Sequence, residues 1–112
     1  MSRVLICEDD ALLAADLAAI VEAAGHVVTG TFSAGAAALA AIPASRADIA
    51  IVDLSLTDGD TGGEVARAAE AAGMRVIVVS GHSNVGRGLG LTPHTYAQKP
   101  WGEAIIRELL SP

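Results

Sequence analysis

The chain has 112 residues, of which 52% are hydrophobic and only 3% aromatic, and its formal net charge is −6. This length fits one domain whose core is built from Ala, Val, Ile and Leu. The acidic balance argues against a nucleic-acid partner, because contact with phosphates requires a basic face.

The longest apolar runs, such as residues 49–52 and 76–79, are far shorter than the ~20 residues that a membrane-spanning helix needs. The N-terminus does not have the pattern of a secretion signal. The single cysteine, Cys7, cannot form an internal disulfide and is predicted to be a small buried hydrophobe. These features predict a cytoplasmic protein without a membrane partner.

In the first half of the chain, short β-branched runs alternate with Ala-rich stretches, which is typical of βαβ units around a parallel sheet. Gly25 should end the first helix. Ser33 is the expected N-cap of the second helix, which should end at Ile42, before Pro43. The predicted strands are residues 3–7, 26–30 and 48–52, and the first helix is residues 11–24.

The second half continues this alternation from Asp53 onward. Residues 81–90 should hold a fourth helix, but each glycine inside a helix costs roughly 1 kcal/mol relative to Ala, so this helix is predicted to be short or absent. We find no repeat and no linker, and residues 1–112 are predicted to form one domain. The remaining predicted elements are a loop at 54–63, a helix at 64–72, a strand at 75–79, a strand at 95–98, a turn at Lys99-Pro100 and a helix at 101–110.

Acidic residues follow two of the predicted strands. In open parallel sheets, ligands bind beyond the carboxyl ends of the strands, where the strand order reverses. For the order 2-1-3-4-5, this point lies between the first and third strands and brings together Glu8, Asp9 and Asp53. Such oxygen ligands suit Mg²⁺, which keeps positions open for phosphate. Ser80 and Lys99 end strands at the same rim, as phosphoryl transfer would require.

Two less specific interpretations remain open for the acidic residues. Asp10 precedes a helical stretch and is better explained as its N-cap than as a metal ligand. Glu8 and Asp9 could be solvated loop acids, although Asp53 and Lys99 at matching strand ends argue against this interpretation.

Together, E8-D-D, Asp53, S80-G and K99-P resemble the receiver domain of two-component response regulators, over the whole chain. The resemblance implies a flavodoxin-like, three-layer α/β/α fold with a five-stranded parallel sheet. It implies that Asp53 is the phosphoacceptor, which would receive a phosphoryl group from a phosphohistidine on a sensor histidine kinase or a histidine phosphotransfer protein.

The resemblance also assigns roles to other residues. Glu8, Asp9, Asp53 and the backbone carbonyl of Ser55 would hold Mg²⁺. Ser80 would hydrogen-bond a phosphoryl oxygen and Lys99 would form an ion pair with it. Tyr96 matches an aromatic switch position, or is an ordinary half-buried aromatic residue. The Lys99-Pro100 peptide is cis in this family. The domain would catalyse only its own phosphorylation and dephosphorylation, as a switch rather than a metabolic enzyme.

The sequence departs from the family pattern in the loop after Asp53. Leu56 and Thr57 stand where Met-Pro is usual, and the family's glycine comes one place late, at Gly62. The interval from Asp53 to Lys99 is also a few residues short, in the glycine-rich segment. The resemblance therefore implies a remodelled loop and an altered output surface, as in small stand-alone receivers of alphaproteobacterial type.

Two other functions fit parts of the pattern. A small Mg²⁺-dependent phosphatase also uses an Asp nucleophile at a strand end, but usually has a second Asp two residues later, where this chain has Ser55. A non-phosphorylated pseudo-receiver would keep the fold and act only as an interaction module. The complete set of Glu8, Asp9, Asp53, Ser80 and Lys99 argues against the pseudo-receiver.

Overall fold

The computed structural model describes residues 1–54, 56, 58–59, 61–80, 96–98 and 103–111. The predictions for Ser55, for residues 81–94 and for the Lys99-Pro100 turn lie outside these residues. The elements in chain order are β1 (Arg3–Cys7), α1 (Ala11–Ala23), β2 (Val27–Phe32), α2 (Gly35–Ser45), β3 (Ile49–Asp53), α3 (Gly62–Ala71), β4 (Arg75–Ser80), β5 (Tyr96–Gln98) and α4 (Glu103–Leu110).

The strands form a parallel sheet in the order β2-β1-β3-β4-β5. The order of the first four strands agrees with the prediction. β1 pairs with both β2 and β3, so the chain reverses its direction of winding between β1 and β3. The three-residue strand β5 pairs with β4 at the edge. The carboxyl ends of β1 and β3 therefore lie side by side.

The sheet separates two apolar clusters. Alternate residues of a strand point to opposite faces, and β3 is buried along its whole length. Ala50 and Val52 pack with α2 and α3, whereas Ile49 and Ile51 pack with α1 and α4. Helices thus cover both faces of the sheet, which explains why its central strand is a continuous apolar run.

The predicted bounds of β2 were wrong by one or two residues. His26 belongs to the turn after α1, because its N–H donates to the Val21 carbonyl at 3.1 Å. Gly30 does not end the strand but lies within it, opposite Leu5, directly after a register irregularity. Pairing then continues to Phe32, whose carbonyl accepts the N–H of Glu8 at 2.9 Å. The longer strand brings residues 31–33 to the rim of the sheet.

The predicted bounds of α2 were also wrong. Ser33 is not its N-cap, since the helix begins at Gly35 after Ala34, and it continues through Pro43 to Ser45. A proline in the last turn removes only one backbone donor and is compatible with a helix that ends two residues later. The Ser45 hydroxyl donates to the Ile42 carbonyl at 2.9 Å and helps to satisfy this end of the helix.

The helix α3 begins at Gly62, two residues before the prediction. Within the described ranges, no helix has the length and apolar character that a bilayer crossing requires.

Candidate metal centre and phosphoacceptor

Glu8 and Asp9 immediately follow β1, at the point where the sheet changes its direction of winding. Glu8 is buried, with 1% of its surface exposed, whereas Asp9 is exposed. The N–H of Asp10 donates to Glu8 Oε2 at 3.1 Å, which fixes the buried carboxylate from its own loop.

Asp53 is the last residue of β3, and only 3% of its surface is exposed. Its position is set by pairing on the β4 side, where it lies opposite Val79. The next residue, Leu54, donates its N–H to the Val79 carbonyl at 3.4 Å and extends this contact beyond the strand. The side chain of Asp53 is therefore carried by one of the most constrained segments of the sheet.

The three acidic side chains converge, as the topology predicted. One carboxylate oxygen from each of Glu8, Asp9 and Asp53 lies within 4.8 Å of the other two. Three carboxylates at this separation repel one another and favour a cation between them. The set consists only of hard oxygen donors, and one of its members is exposed, so it fits a Mg²⁺ ion that retains water and open positions.

Asp10 is the N-cap of α1 and is not part of this cluster. Its Oδ1 accepts the N–H groups of Leu12 at 2.9 Å and Leu13 at 3.2 Å. The N-cap interpretation of Asp10 is therefore confirmed.

The other predicted site residues are placed only by their backbone or lie outside the described residues. Ser80 ends β4 and pairs with Gln98, the residue before Lys99, while Tyr96 pairs with Val78. Ser80 and Tyr96 thus occupy the two strands beyond β3, with Ser80 at the carboxyl rim. Lys99 and Ser55 are not among the described residues.

The loop after Asp53 is folded back on itself. Leu56 and Gly59 exchange backbone hydrogen bonds of 2.9 and 3.0 Å, and Gly59 has a φ of 101°. A residue with a Cβ would be strained at this angle. Asp58 lies within this reversal and faces the start of α2.

Asp58 is a structural residue that the sequence did not reveal. Its Oδ1 accepts the Gly35 N–H at 2.9 Å and the Thr61 hydroxyl at 2.6 Å, and its Oδ2 accepts the Ala36 N–H at 3.0 Å. These bonds, that from Thr61 above all, lower the pKa of Asp58 to about 2. Asp58 therefore caps a helix that precedes it by more than twenty residues, and a local sequence window could not indicate this.

Two glycines allow close approach around this loop. A Cβ on Gly62 would lie against the carbonyl oxygen of Asp53 and 2.5 Å from the Cα of Leu54. A Cβ on Gly35 would lie 2.6 Å from the Cβ of Thr61. The family glycine that comes one place late in the sequence thus allows the first turn of α3 to pack directly on the backbone of Asp53.

Cys7, the last residue of β1, directly precedes Glu8 and is fully buried. Burial raises the pKa of its thiol to about 12, and the negative charges of Asp53, Asp58 and Glu8 contribute in the same direction. The thiol therefore remains protonated at neutral pH, which agrees with its predicted role as a small apolar residue.

A cleft of about 420 Å³ opens beside Glu8 and Asp9, between α1 and the end of β2. The α1 side of this cleft is lined by small alanine side chains, which leave it open beside the exposed carboxylate of Asp9. The other lining residues are Ala11, Ala14, Ala15, Ala18, Thr31, Phe32 and Ser33.

The fold and the cluster of strand-end carboxylates define a class of protein. The family model of the response regulator receiver domain matches residues 4–111. The chain therefore belongs to the response regulator receiver domain family, as the sequence motifs indicated. A comparison with curated protein sequences returned no match.

Solved structures agree with this assignment. The signal receiver domain of a modulated diguanylate cyclase from Desulfovibrio desulfuricans G20 is 29% identical, with a TM-score of 0.86 over 98% of this chain and 90% of that one. The receiver domain of the PhyR response regulator from Erythrobacter litoralis is 25% identical, with a TM-score of 0.85 over 98% and 87% of the two chains.

A CheY-like receiver domain protein from Methanospirillum hungatei JF-1 is also similar. It is 25% identical, with a TM-score of 0.80 over 96% of this chain and 89% of that one. The prediction of a flavodoxin-like α/β receiver fold is confirmed for the strand order β2-β1-β3-β4, and the chain is a signalling receiver.

Proposed function

We propose that residues 1–112 form one receiver domain that accepts a phosphoryl group on Asp53 in a Mg²⁺-dependent reaction and thereby switches its interaction with a partner protein. The observation that carries this proposal is the convergence of Glu8, Asp9 and Asp53, whose carboxylate oxygens lie within 4.8 Å of one another at the strand-order reversal. The donor would be a phosphohistidine on a sensor histidine kinase or a histidine phosphotransfer protein.

The transfer requires an acceptor oxygen and neutralisation of charge. A carboxylate oxygen of Asp53 attacks the phosphorus of the donor, the P–N bond breaks and its electron pair returns to the imidazole nitrogen. Glu8, Asp9, Asp53 and the backbone carbonyl of Ser55 would hold Mg²⁺, which would neutralise charge on the phosphoryl oxygens. Burial of Glu8 and Asp53 strengthens these electrostatic interactions relative to water.

The same groups suggest how the signal is transmitted. A phosphorylated carboxylate gains charge, close to −2 for a phosphate group at neutral pH. Ser80 at the end of β4 and Lys99 after β5 would be drawn toward this charge, and Tyr96 would follow as the switch residue. The adjoining loops would then move between two states. A sheet completed by β5 is part of this proposal, because β5 delivers Lys99.

The test is phosphorylation by acetyl phosphate or a phosphoramidate, which need no partner kinase. With Mg²⁺, the wild-type protein should gain the mass of one phosphoryl group, and Asp53→Asn should not. Asp48→Asn is the matched control, because this acid lies before the amino end of β3, where Asp48 Oδ2 accepts the Arg3 N–H. A label that persists in Asp53→Asn would overturn the assignment of the acceptor.

A second assay, with a phosphomonoester as substrate, separates the two alternatives. A phosphatase would release phosphate from a phosphomonoester over many turnovers, whereas a receiver should retain one group per chain. A pseudo-receiver would show neither. The residue two positions after Asp53 is Ser55, whereas such phosphatases usually have a second Asp there. This difference favours the receiver.

A further inference from the structure

Asp58 joins three segments of the chain that meet beside the phosphoacceptor. Its two carboxylate oxygens accept three hydrogen bonds, from the first two N–H groups of α2 and from the hydroxyl of Thr61, which precedes α3. Because both oxygens already accept hydrogen bonds from the protein, this carboxylate is oriented toward α2.

The contacts of Asp58 continue to the backbone of Asp53. Thr61 packs against Gly35, so closely that a Cβ on that glycine would overlap the threonine side chain. The next residue, Gly62, lies directly on the carbonyl of Asp53 and on Leu54. Among the described residues between Asp53 and α3, Thr61 is therefore held by Asp58, and Leu54 is held by its contact with β4.

The position of this loop matters for the candidate metal centre, because its second residue, Ser55, would supply a backbone ligand. A backbone carbonyl that the chain already holds in place binds an ion more tightly than a mobile one, because less order has to be gained on binding. Groups that orient ligands from outside the coordination sphere typically change metal affinity 10–100-fold when they are removed. Leu56 and Thr57 stand in this loop where Met-Pro is usual, and the hydrogen bonds of Asp58 are a constraint that does not depend on Met-Pro.

We propose that Asp58 is a positioning residue for the Mg²⁺ site: by capping α2 and binding Thr61, it holds the start of α3 against the backbone of Asp53 and Leu54. This inference rests on the proposed function, because it concerns the same ion and the same acceptor. Asp58 is not one of the three clustered carboxylates, and it would act through Thr61 and Gly62 on the backbone of Asp53 and Leu54.

The test measures Mg²⁺ affinity by calorimetric titration without any phosphodonor. Asp58→Ala should raise the dissociation constant for Mg²⁺ about tenfold, at the lower end of such outer effects. Asp48→Ala is the matched control. It removes a carboxylate that also accepts a backbone N–H, from Arg3 at 2.8 Å, but near the opposite end of the sheet. The affinity of this variant should equal that of wild type.

Changes at Thr61 separate positioning from general loss of structure. Thr61→Val removes the donor to Asp58 at nearly constant volume and should weaken Mg²⁺ binding, whereas Thr61→Ser keeps the hydroxyl and should restore most of the affinity. The amide protons of Gly35 and Ala36 should also exchange faster in Asp58→Ala. If Asp58→Ala fails to fold, the pair of Thr61 variants decides the question.

The outcomes distinguish this inference from the proposed function. Wild-type affinity in a folded Asp58→Ala protein, or in Thr61→Val, would overturn the positioning role while leaving phosphorylation of Asp53 intact. A wild-type protein that neither binds Mg²⁺ nor accepts a phosphoryl group would overturn both.

Discussion

Gly62 determines how closely α3 approaches the end of β3, where Asp53 lies. It is the first residue of the helix, and in a helix alanine is normally favoured over glycine by about 1 kcal/mol. Here the Cβ of alanine would collide with backbone atoms of Asp53 and Leu54, which cannot move away as a flexible side chain could. The residue is therefore glycine for reasons of space rather than of backbone angle.

Gly62→Ala should lower the free energy of unfolding by about 1–3 kcal/mol, the usual penalty for overpacking, and should weaken Mg²⁺ binding because it displaces the backbone of Asp53. Gly73→Ala is the control. Gly73 has a φ of 89° but open space around its Cα, so this change should cost about 1–2 kcal/mol through backbone strain. Denaturant unfolding and Mg²⁺ titration check both variants. Unchanged affinity in Gly62→Ala would contradict the explanation.

The pKa of Asp58, at about 2, is depressed from its usual 3.8 by the three hydrogen bonds that it accepts. Between these values the unfolded chain binds more protons than the folded one, so stability falls as the pH falls. The contribution of Asp58 should be fully present above pH 3.8 and lost as the pH drops through about 2.

The difference in unfolding free energy between wild type and Asp58→Asn should therefore shrink over this range. Measurement of both proteins in urea at several pH values isolates Asp58 from the other carboxylates. A difference that is independent of pH between 4 and 2 would show that these bonds do not require the charged form.

Two neighbouring acidic residues before α1 have different structural roles. Asp10 accepts two N–H groups of the first turn, whereas Asp9 belongs to the carboxylate cluster. Asp10→Ala should destabilise the fold by about 1 kcal/mol and leave Mg²⁺ affinity unchanged. Asp9→Asn should weaken Mg²⁺ binding without loss of the cap. Thermal unfolding and titration of both variants test this division, and a loss of affinity in Asp10→Ala would contradict it.

The accuracy of prediction differed between elements for a physical reason. The bounds of β1 were predicted correctly, and those of α1 differ from the prediction by only one residue, at its end. Both predictions succeeded because a buried strand, a helical period and a capping acid are local signals. The start of α2 was wrong, since its cap comes from Asp58 in another loop. The end of β2 was wrong because pairing with β1 extends the strand past Gly30.

The same distinction applies to the candidate site. Glu8, Asp9 and Asp53 could be predicted because the strand order of a parallel sheet determines which ends meet. The roles of Gly35, Thr61 and Gly62 depend on contacts between loops and helices, and sequence spacing does not specify these contacts.

A bound Mg²⁺ ion should raise the free energy of unfolding of the whole domain. A ligand that binds only the folded state adds about 2.7 kcal/mol at one hundred times its dissociation constant. The unfolding midpoint of the wild-type protein should therefore rise with MgCl₂ beyond the effect of NaCl at equal ionic strength. Asp9→Asn should lose this excess. Equal shifts with both salts would indicate only general screening of the −6 net charge.

The residues of β3 are divided between two apolar clusters, and this division fixes the register of the strand in the sheet. Ala50 and Val52 serve one cluster, while Ile49 and Ile51 serve the other. A slip of one residue along the sheet would exchange both sets at once and carry Asp53 away from its acidic neighbours. Packing on both faces of the sheet therefore fixes the position of Asp53, so the surrounding loops can differ in length and sequence without moving its carboxylate.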